Sequence, residues 1–528
     1  MIAENRSRKM NIVATMLCLW LAVSWAPAQS QQTPYLPELL SRSEQLNRLY
    51  NQKRLAGANV AVIDPLRQQS EAAFRSGSIR GMLELVAREI ALLEGKPWDE
   101  KERFLASLTL EPDRLVLEPN QDLQVSLIRM FPTNVDQALS PPPTVTFEVR
   151  PDEPPPSEAA RPVETPVAPR PAAPIIIGER LAVSQESTIA TRRLRLGDGL
   201  YWVVAKIESG DQTVAQLSRP IYAINDFTDR VSRLSSLAAV IRNSADPKVK
   251  AVAVQGATPE FQLQRLAVLN KARSEYEINA TAELDRIESL LSSLAKGTNP
   301  LAQERGELER AYRTSDGKLT PYRVYVPINY DATSQRPLVV LLHEVLGDER
   351  SYFSGLYDPV VIKGESERRG AILAAVGGGE RSAPYRGTGQ EEVFEVIQAI
   401  SRDYKIDPAR VYLSGHSIGA AVAWGIASTR PEMFAAIAAV SGGAPVQGDA
   451  LGALLGRLKG IPALIIHGAK DGIAPVENSR KVLAAAQKAG LKVEYIEMPD
   501  ADHTTVVGAT FPAVMQFFER NSRKPAAK

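Results

Sequence analysis

The sequence is poor in the residue types that most often build metal and redox centres. Its 528 residues include one cysteine, Cys18, and four histidines. A single thiol can form no internal disulfide and no cysteine-based metal site. No two histidines stand at metal-ligand spacing, and the glycine-rich stretch at residues 377–389 lacks the spacing of a dinucleotide or phosphate loop. We therefore expect neither a metal nor a cofactor.

The sequence also has no large excess of positive or negative charge. The 62 Lys and Arg residues nearly balance the 61 Asp and Glu residues, and the formal net charge is +1. Nucleic acids and anionic membranes attract basic surfaces, so this balance gives no reason to expect a nucleic-acid partner. The composition, 44% hydrophobic and 23% charged, is typical of a soluble globular protein. The length suggests about three domains.

A long apolar run lies at the N-terminus. The apolar stretch over residues 12–25 follows three basic residues and ends in a small-residue Ala-Pro-Ala sequence. This pattern predicts a cleavable signal peptide over residues 1–28. The run is shorter than the ~20 residues that cross a bilayer, although a retained membrane anchor stays open as the alternative. We expect a secreted or periplasmic protein with no stable membrane insertion after cleavage.

Hydrophobic periodicity divides the chain that follows into segments. Residues 35–107 carry apolar side chains at intervals of three and four, which predicts a helical hairpin. Residues 108–225 alternate with a period of two, and a small antiparallel β-sandwich is predicted there. Its insertion at 151–174, where nine of 24 residues are proline, is predicted to be an extended, exposed spacer. A helical connector is predicted over 226–309.

The histidines, which are the candidate catalytic bases, all lie in the C-terminal part of the chain. Residues 1–310 contain no histidine, and positioning, partner binding and substrate docking stay open as their roles. From 310 to 522 strand and helix patterns alternate, and seven strands are predicted: YRVYVPI, PLVVLLH, AILAAV, RVYLS, FAAIAAV, ALIIHG and VEYIEM. Continuously apolar strands are typical of a parallel sheet covered on both faces. The predicted fold class is α/β, with a mostly parallel, doubly wound sheet whose ligands bind beyond the carboxyl ends of the strands.

A serine stands between one of these strands and the helix after it. The stretch RVYLSGHSIGAAVAW, residues 410–424, places Ser417 in a G-x-S-x-G motif. Its glycines permit a tight turn that lifts the serine hydroxyl above the sheet, beside the first amides of the helix. Gly and Ser also favour ordinary turns, but the strand before and the helix after favour a nucleophile. Ser417 is therefore the candidate nucleophile.

A serine nucleophile needs a base to take its proton and an acid to orient that base. All four histidines lie in the C-terminal part: His343, His416, His467 and His503. His503 follows the last predicted strand in a polar loop, MPDADHTT, and is the candidate base. His416 is expected to pack inside the turn, and the other two are expected to be buried, hydrogen-bonded residues at strand ends.

The candidate acid is Asp471. It lies in IIHGAKDGIAP, after the penultimate predicted strand, and gives the chain order Ser, Asp, His that this motif requires. Asp500 and Asp502 are rivals because they stand close to His503 in sequence. Residues so near on one loop are poorly placed to hold the imidazole from behind, so Asp471 is preferred.

These residues resemble the α/β-hydrolase superfamily over about Arg310 to Asn521. The matching stretches are SDGKLTPYRVYVP, PLVVLLH, YKIDPARVYLSGHSIGA, PEMFAAIAAVSG, IIHGAKDGIAP and DADH. Within the superfamily the region is most similar to secreted esterases of the polyhydroxybutyrate depolymerase, feruloyl esterase and acetylxylan esterase group. The region is also similar, to a slightly smaller degree, to the prolyl oligopeptidase catalytic domain. The resemblance implies a catalytic triad of Ser417, Asp471 and His503, and it does not specify the substrate.

One loop departs from these relatives, which carry His-Gly and further glycines after the third strand. Backbone amides there complete an oxyanion hole with the amide after the nucleophile, here that of Ile418. In this chain two of the customary glycines are Glu344 and Leu346, and the amide of Glu344 or Val345 is the expected second donor. A carboxylate about 5 Å from the oxyanion would repel it by about 3 kcal/mol at an effective dielectric constant of 20. Glu344 must therefore point elsewhere, be neutral, or weaken the enzyme.

The sequence thus predicts a secreted serine hydrolase that cleaves carboxylic esters through an acyl-enzyme intermediate. Only 20 residues separate FAAIAAV from IPALIIHG, which leaves no room for a large lid and suits a bulky or polymer-borne ester substrate. Two alternatives stay open. One is a serine peptidase of the prolyl oligopeptidase type, and the other is a binding protein whose hydrolase domain has lost efficient turnover.

Overall fold

The computed structural model describes most of the chain: residues 35–151, 174–269, 278–379 and 384–523. The predicted signal peptide, and residues 152–173 of the proline-rich insertion, lie outside these ranges. Four groups of elements follow one another: helices, strands, helices again, and a sheet with helices on both faces. Within the described ranges, no helix is both long enough and apolar enough to cross a membrane.

The first group, residues 35–107, holds four helices where a two-helix hairpin was predicted. They are α1 (Leu36–Leu55), α2 (Asp64–Arg75), α3 (Ile79–Leu93) and α4 (Glu100–Ser107). Pro65 is the second residue of α2, and Gly77, at a φ of 71°, separates α2 from α3. The predicted hairpin was wrong because it included only the stretches of α1 and α3 and left out α2, which lies between these two breaks, and the short α4. Leu83 and Ile90 of α3 pack with Leu46 of α1 in one core.

The second group is a sandwich of two sheets. It consists of β1 (Leu108–Pro112), β2 (Val116–Leu117), β3 (Asp122–Arg129), helix α5 (Val135–Ala138), β4 (Thr144–Arg150), β5 (Ile175–Ala182), β6 (Ser187–Arg193), β7 (Gly199–Ser209) and β8 (Gln212–Ala223). β1, β3 and β6 form one sheet, and β2, β8, β7, β4 and β5 form the other. Val125 of β3 and Val203 of β7 share the core between them. This arrangement agrees with the predicted small antiparallel β-sandwich except at edge strand β2, which pairs parallel to β8.

The third group is a helical bundle with its own core, in which Leu234, Leu263 and Ile287 are buried. Its helices are α6 (Phe227–Arg242), α7 (Pro247–Val252), α8 (Ala257–Leu269) and α9 (Ala280–Ala295). The predicted helical connector extended to residue 309, but its last four residues already belong to a strand, β9 (Gly306–Arg313). Its sequence, GELERAYR, is rich in helix-forming residues. Antiparallel pairing with β10 (Leu319–Val326) along its whole length overrides that local preference.

The C-terminal domain is built on one mixed sheet. Its further strands are β11 (Arg336–Leu342), β12 (Ile372–Val376), β13 (Ile406–His416), β14 (Ala436–Val440), β15 (Ala463–Gly468) and β16 (Val493–Met498). The strand order is β16-β15-β14-β13-β11-β12-β10-β9. β10 is antiparallel to both of its neighbours, whereas the pairs from β12 to β16 are parallel. The predicted α/β class with a mostly parallel sheet is confirmed.

Helices cover both faces of this sheet. They are α10 (Pro359–Arg369), α11 (Glu391–Asp403), α12 (Ile418–Thr429), α13 (Gly448–Gly456), α14 (Glu477–Lys488) and α15 (Thr505–Arg520). Val340 of β11 shares a core with Trp424 of α12, whereas the next residue, Leu341, shares the opposite core with Phe511 of α15. Successive strand residues point to opposite faces, so both must be apolar here. The carboxyl ends of the parallel strands meet at one edge, where the loops can form a site.

Candidate active site

A sharp turn between β13 and α12 holds Ser417. β13 ends at His416 and α12 begins at Ile418, so Ser417 alone makes the change of direction. Its φ is 56° and its ψ is −117°, a region that costs a residue with a side chain about 1–3 kcal/mol. Such strain persists only where the surroundings enforce it. The side chain is half-buried, so solvent reaches the turn.

The two glycines of the motif are required by packing. A Cβ on Gly415 would lie 2.3 Å from the carbonyl carbon of Gly419, and a Cβ on Gly419 would lie 2.2 Å from the carbonyl oxygen of Leu342. Both obstacles are backbone atoms, which are held by a helix and by a strand. The first turn of α12 therefore lies directly against the end of β11.

We expect Gly419→Ala to lower the midpoint of thermal unfolding, because relieving the overlap requires α12 to move away from β11. Overpacking of this kind typically costs about 1–3 kcal/mol. Gly425→Ala, on the same helix, is the matched control, since its Cβ would meet only Pro445, at 3.9 Å. Its midpoint should not fall. Circular dichroism on heating measures both variants, and an unchanged midpoint for Gly419→Ala would contradict the packing described.

The loop after β16 brings His503 to Ser417. His503 Nε2 lies 3.0 Å from Ser417 Oγ, and His503 Nδ1 lies 2.7 Å from Asp471 Oδ2. An ionised carboxylate only accepts hydrogen bonds, so Nδ1 carries the proton and Nε2 keeps a lone pair directed at the hydroxyl. That tautomer is the one able to take the serine proton. The structure thus brings together the three residues selected from the sequence.

Asp471 lies in the loop after β15, and its side chain is completely buried. Its Oδ1 accepts hydrogen bonds from the amides of Ile473 at 2.9 Å and Ala474 at 2.7 Å. Burial by itself raises the pKa of this carboxyl, but hydrogen bonds from His467 and His503 outweigh burial and hold the pKa well below its ordinary value. Asp471 is therefore ionised at neutral pH.

The rival aspartates have other partners. Asp500 is 89% exposed and pairs with Lys470 at 3.2 Å. Asp502 accepts hydrogen bonds from the amides of Thr504 and Thr505. Asp471 is the one of the three whose carboxylate contacts the His503 ring.

His416 has a role that the sequence did not reveal. Its Nε2 lies 2.8 Å from the backbone carbonyl of His503, and its Nδ1 lies 2.7 Å from the Tyr357 hydroxyl. The carbonyl can only accept, so Nε2 carries the proton and the hydroxyl donates to Nδ1. Burial lowers the pKa of His416 and favours this neutral ring. His416 therefore packs inside the turn, as predicted, and also fixes the backbone of the His503 loop.

His467 is the second partner of Asp471. It is the penultimate residue of β15 and is fully buried, as expected for a histidine at a strand end. Its Nε2 lies 3.2 Å from Asp471 Oδ2, and its Nδ1 lies 2.7 Å from the Ser479 hydroxyl in α14. His467 thus ties the carboxylate to a helix. The sequence placed His467 four residues before Asp471 but gave no sign that the two side chains meet.

The candidate oxyanion donors lie beside the turn. Ile418 is the first residue of α12, so its amide has no acceptor within the helix. Glu344 and Val345 follow β11, which pairs with β13. His343, fully buried as predicted, fixes their turn with its Nδ1 2.6 Å from the Glu344 carbonyl. The Glu344 carboxylate lies toward the interior, with Oε2 3.8 Å from His416 Nδ1.

Leu346 stands where the resemblance described above implies a glycine. Its φ is 67°, the left-handed conformation that glycine adopts freely and that costs other residues roughly 1–2 kcal/mol. Its side chain is buried, which offsets part of that cost. Leu346 therefore adopts a backbone conformation suited to glycine, although it is not glycine.

The segment in which many hydrolases carry a lid is short in this chain. Between β14 and β15, through residues 441–462, all of which are described, the chain forms only α13, a helix of nine residues. Ile418, next to Ser417, is 37% exposed. An acyl group can therefore approach Ser417 without an opening motion of this segment.

The sequence of this region matches a known family. Residues 390–521, about a quarter of the chain, match the model of a family described as Phospholipase/Carboxylesterase. The range includes Ser417, Asp471 and His503, and it confirms the superfamily indicated by the sequence motifs. A comparison with curated proteins gives no match.

Solved structures of hydrolases resemble the chain at low sequence identity. A ferulic acid esterase from Anaeromyces mucronatus, in complex with ferulic acid, is 16% identical over 40% of this chain and 89% of its own, with a TM-score of 0.33. A feruloyl esterase module from Clostridium thermocellum, complexed with sinapinate, is 16% identical over 43% and 93%, with a TM-score of 0.36. A protein described as a dipeptidyl aminopeptidase IV from Bacteroides ovatus is 15% identical over 41% of this chain, with a TM-score of 0.35; the match spans 36% of that protein.

Proposed function

We propose that this protein, whose C-terminal domain is an α/β-hydrolase, is a serine esterase that cleaves carboxylic esters through an acyl-enzyme intermediate. One observation carries the proposal: Ser417, His503 and Asp471 are joined in series by contacts of 3.0 and 2.7 Å. A serine hydroxyl is a weak nucleophile at neutral pH until an adjacent base takes its proton. The family match to Phospholipase/Carboxylesterase supports an ester as the substrate.

The contacts support the following course. Ser417 Oγ attacks the carbonyl carbon of the ester while His503 Nε2 takes the hydroxyl proton, and the carbonyl oxygen becomes an oxyanion. The amide of Ile418, with that of Glu344 or Val345, donates to this oxygen, and one such donor lowers the barrier by roughly 3 kcal/mol. His503 then protonates the departing alkoxide, which leaves Ser417 acylated. Water repeats the sequence and releases the acid.

The residues around the imidazole hold it in position. Asp471 keeps the proton on Nδ1 and stabilises the imidazolium that forms. His416 donates to the backbone carbonyl of His503 at 2.8 Å, so the ring is fixed through both its side chain and its main chain. A displacement of about 1 Å can cost roughly a hundredfold in rate, which is why both attachments support efficient catalysis.

Glu344 bears on how well the oxyanion is stabilised. Its Oε2 is buried and lies 3.8 Å from His416 Nδ1, so this oxygen faces the interior and not solvent. We infer that the backbone of Glu344 or Val345, and not the Glu344 carboxylate, faces the developing oxyanion.

An esterase and a serine peptidase with this fold differ in the leaving group, which is an alcohol for the esterase and an amine for the peptidase. We expect the purified protein to release p-nitrophenol from p-nitrophenyl acetate and butyrate, and no measurable p-nitroaniline from dipeptidyl anilides, because an amine needs more complete protonation before it departs. Ser417→Ala, purified in the same way, corrects for contaminating esterases. Faster cleavage of the anilides would show a peptidase. A folded protein that turns over neither substrate class, and whose Ser417 does not react with a fluorophosphonate, would favour the binding-protein alternative.

A further inference from the structure

Helices α1 to α4, here called the N-terminal layer, contact two loops of the C-terminal domain. Arg67 of α2 places Nη1 2.5 Å from Oδ2 of Asp502, the residue immediately before His503. Asn47 of α1 donates from its side-chain amide to the carbonyl of Leu356, at 3.3 Å, in the loop that precedes α10. Residues outside the hydrolase fold therefore reach the edge of the sheet that holds the active site.

The N-terminal layer itself holds the Arg67 guanidinium in place. Its central carbon lies 4.1 Å from the centroid of the Tyr50 ring in α1, and its Nε lies 3.9 Å from Glu89 Oε2 in α3. Glu89 is in turn fixed by the Ser70 hydroxyl at 2.8 Å. Only 15% of the Arg67 side chain is exposed. The guanidinium is thus pre-organised toward its partner instead of moving freely in solvent.

Asp502 divides its two oxygens between the layer and its own loop. Oδ1 accepts hydrogen bonds from the amides of Thr504 at 3.0 Å and Thr505 at 2.8 Å, whereas Oδ2 faces Arg67. His503 lies between Asp502 and Thr504 in sequence, so the backbone is fixed on both sides of it. Burial by itself raises the pKa of the Asp502 carboxyl, but Arg67 and the hydrogen bonds from Thr505 outweigh burial and lower the pKa.

We propose that Arg67 is a positioning residue for the reaction. Through Asp502 it holds the loop of His503 where the imidazole reaches Ser417, so efficient turnover requires the N-terminal layer. This inference rests on the proposed function. A largely buried carboxylate that loses its partner becomes an uncompensated charge and moves toward water. The loop of His503 then moves with it, and a shift of about 1 Å lowers the rate roughly a hundredfold.

The test uses the full chain and compares kcat and KM on p-nitrophenyl butyrate. We expect Arg67→Met to lower kcat by about 10- to 100-fold with little change in KM, because the change displaces the base without altering a residue next to Ser417. Arg67→Lys, which keeps the charge, should recover part of the loss. Asp502→Asn breaks the same contact from the other side and should lower kcat similarly. The double variant should be no slower than the slower single variant.

Arg80→Met is the matched control. Arg80, in α3, lies over the ring of Tyr35, the residue just before α1, and donates to its hydroxyl at 2.7 Å. This contact does not involve the C-terminal domain, and its loss should leave kcat unchanged. An unchanged kcat in both Arg67→Met and Asp502→Asn would overturn the inference, as would effects that multiply in the double variant. An equal loss in Arg80→Met would also overturn it. An inactive wild-type protein would instead refute the proposed function.

Discussion

Ser417→Ala is expected to lower the turnover of p-nitrophenyl butyrate by about a million-fold, the loss typical of removing a serine nucleophile that acts together with its histidine. Without Oγ no acyl-enzyme can form, and His503 has no hydroxyl to deprotonate. The remaining activity would come from water attacking an ester held by the oxyanion donors. Initial rates at high enzyme concentration, corrected for the uncatalysed reaction, measure the loss.

Ser428→Ala is the control for this variant. Ser428 lies on α12, which begins directly after Ser417, and its hydroxyl donates to the backbone carbonyl of Gly425 at 2.8 Å, within its own helix. Its removal should leave turnover at the wild-type level. If Ser417→Ala kept wild-type turnover in protein free of other esterases, Ser417 would not be the nucleophile.

Asp471→Asn is expected to lower kcat by about ten-thousandfold while the protein stays folded. The carboxylate faces donors on both sides: the amides of Ile473 and Ala474 at Oδ1, and His467 and His503 at Oδ2. Asparagine has one acceptor oxygen, and if it serves the two amides, its NH₂ group faces His503 Nδ1. The proton then moves to Nε2, the tautomer that cannot accept the serine proton.

Asp500→Asn is the matched control variant. Asp500 is exposed, lies near Asp471 at the same edge of the sheet, and pairs with Lys470. Its kcat should equal that of the wild type. Because the pKa of Asp471 is lowered, its carboxylate stays ionised as the pH falls through the ordinary range of aspartate, so Asp471 should not limit the rate there. A kcat for Asp471→Asn equal to that of Asp500→Asn would exclude Asp471 as the orienting acid.

The C-terminal fold was predictable because both faces of its sheet are covered. That burial makes strands such as β11 and β14 continuously apolar, which marks them in the sequence. The order of Ser417, Asp471 and His503 along the chain follows from the strand order, and so these residues could also be chosen. β9 was missed because its residues favour helix and only its pairing with β10 makes it a strand.

Contacts between distant segments were not predictable. His416 was visible beside Ser417, but its bond to the backbone of His503 depends on where the last loop packs. Arg67 is one arginine among many in helical sequence, and nothing local distinguishes it. Its partner lies 435 residues away, and only the docking of the N-terminal layer on the C-terminal domain brings the two together.

The central claim is that His503 activates Ser417, and the rate of Ser417 modification by a fluorophosphonate tests it most directly. The full-length protein and His503→Gln are treated with the reagent, and the modified peptide is identified by mass spectrometry. We predict that wild-type protein is labelled rapidly and at Ser417 alone, and that His503→Gln is labelled far more slowly at the same residue. Equal rates in the two proteins, or rapid labelling of another serine, would contradict the account.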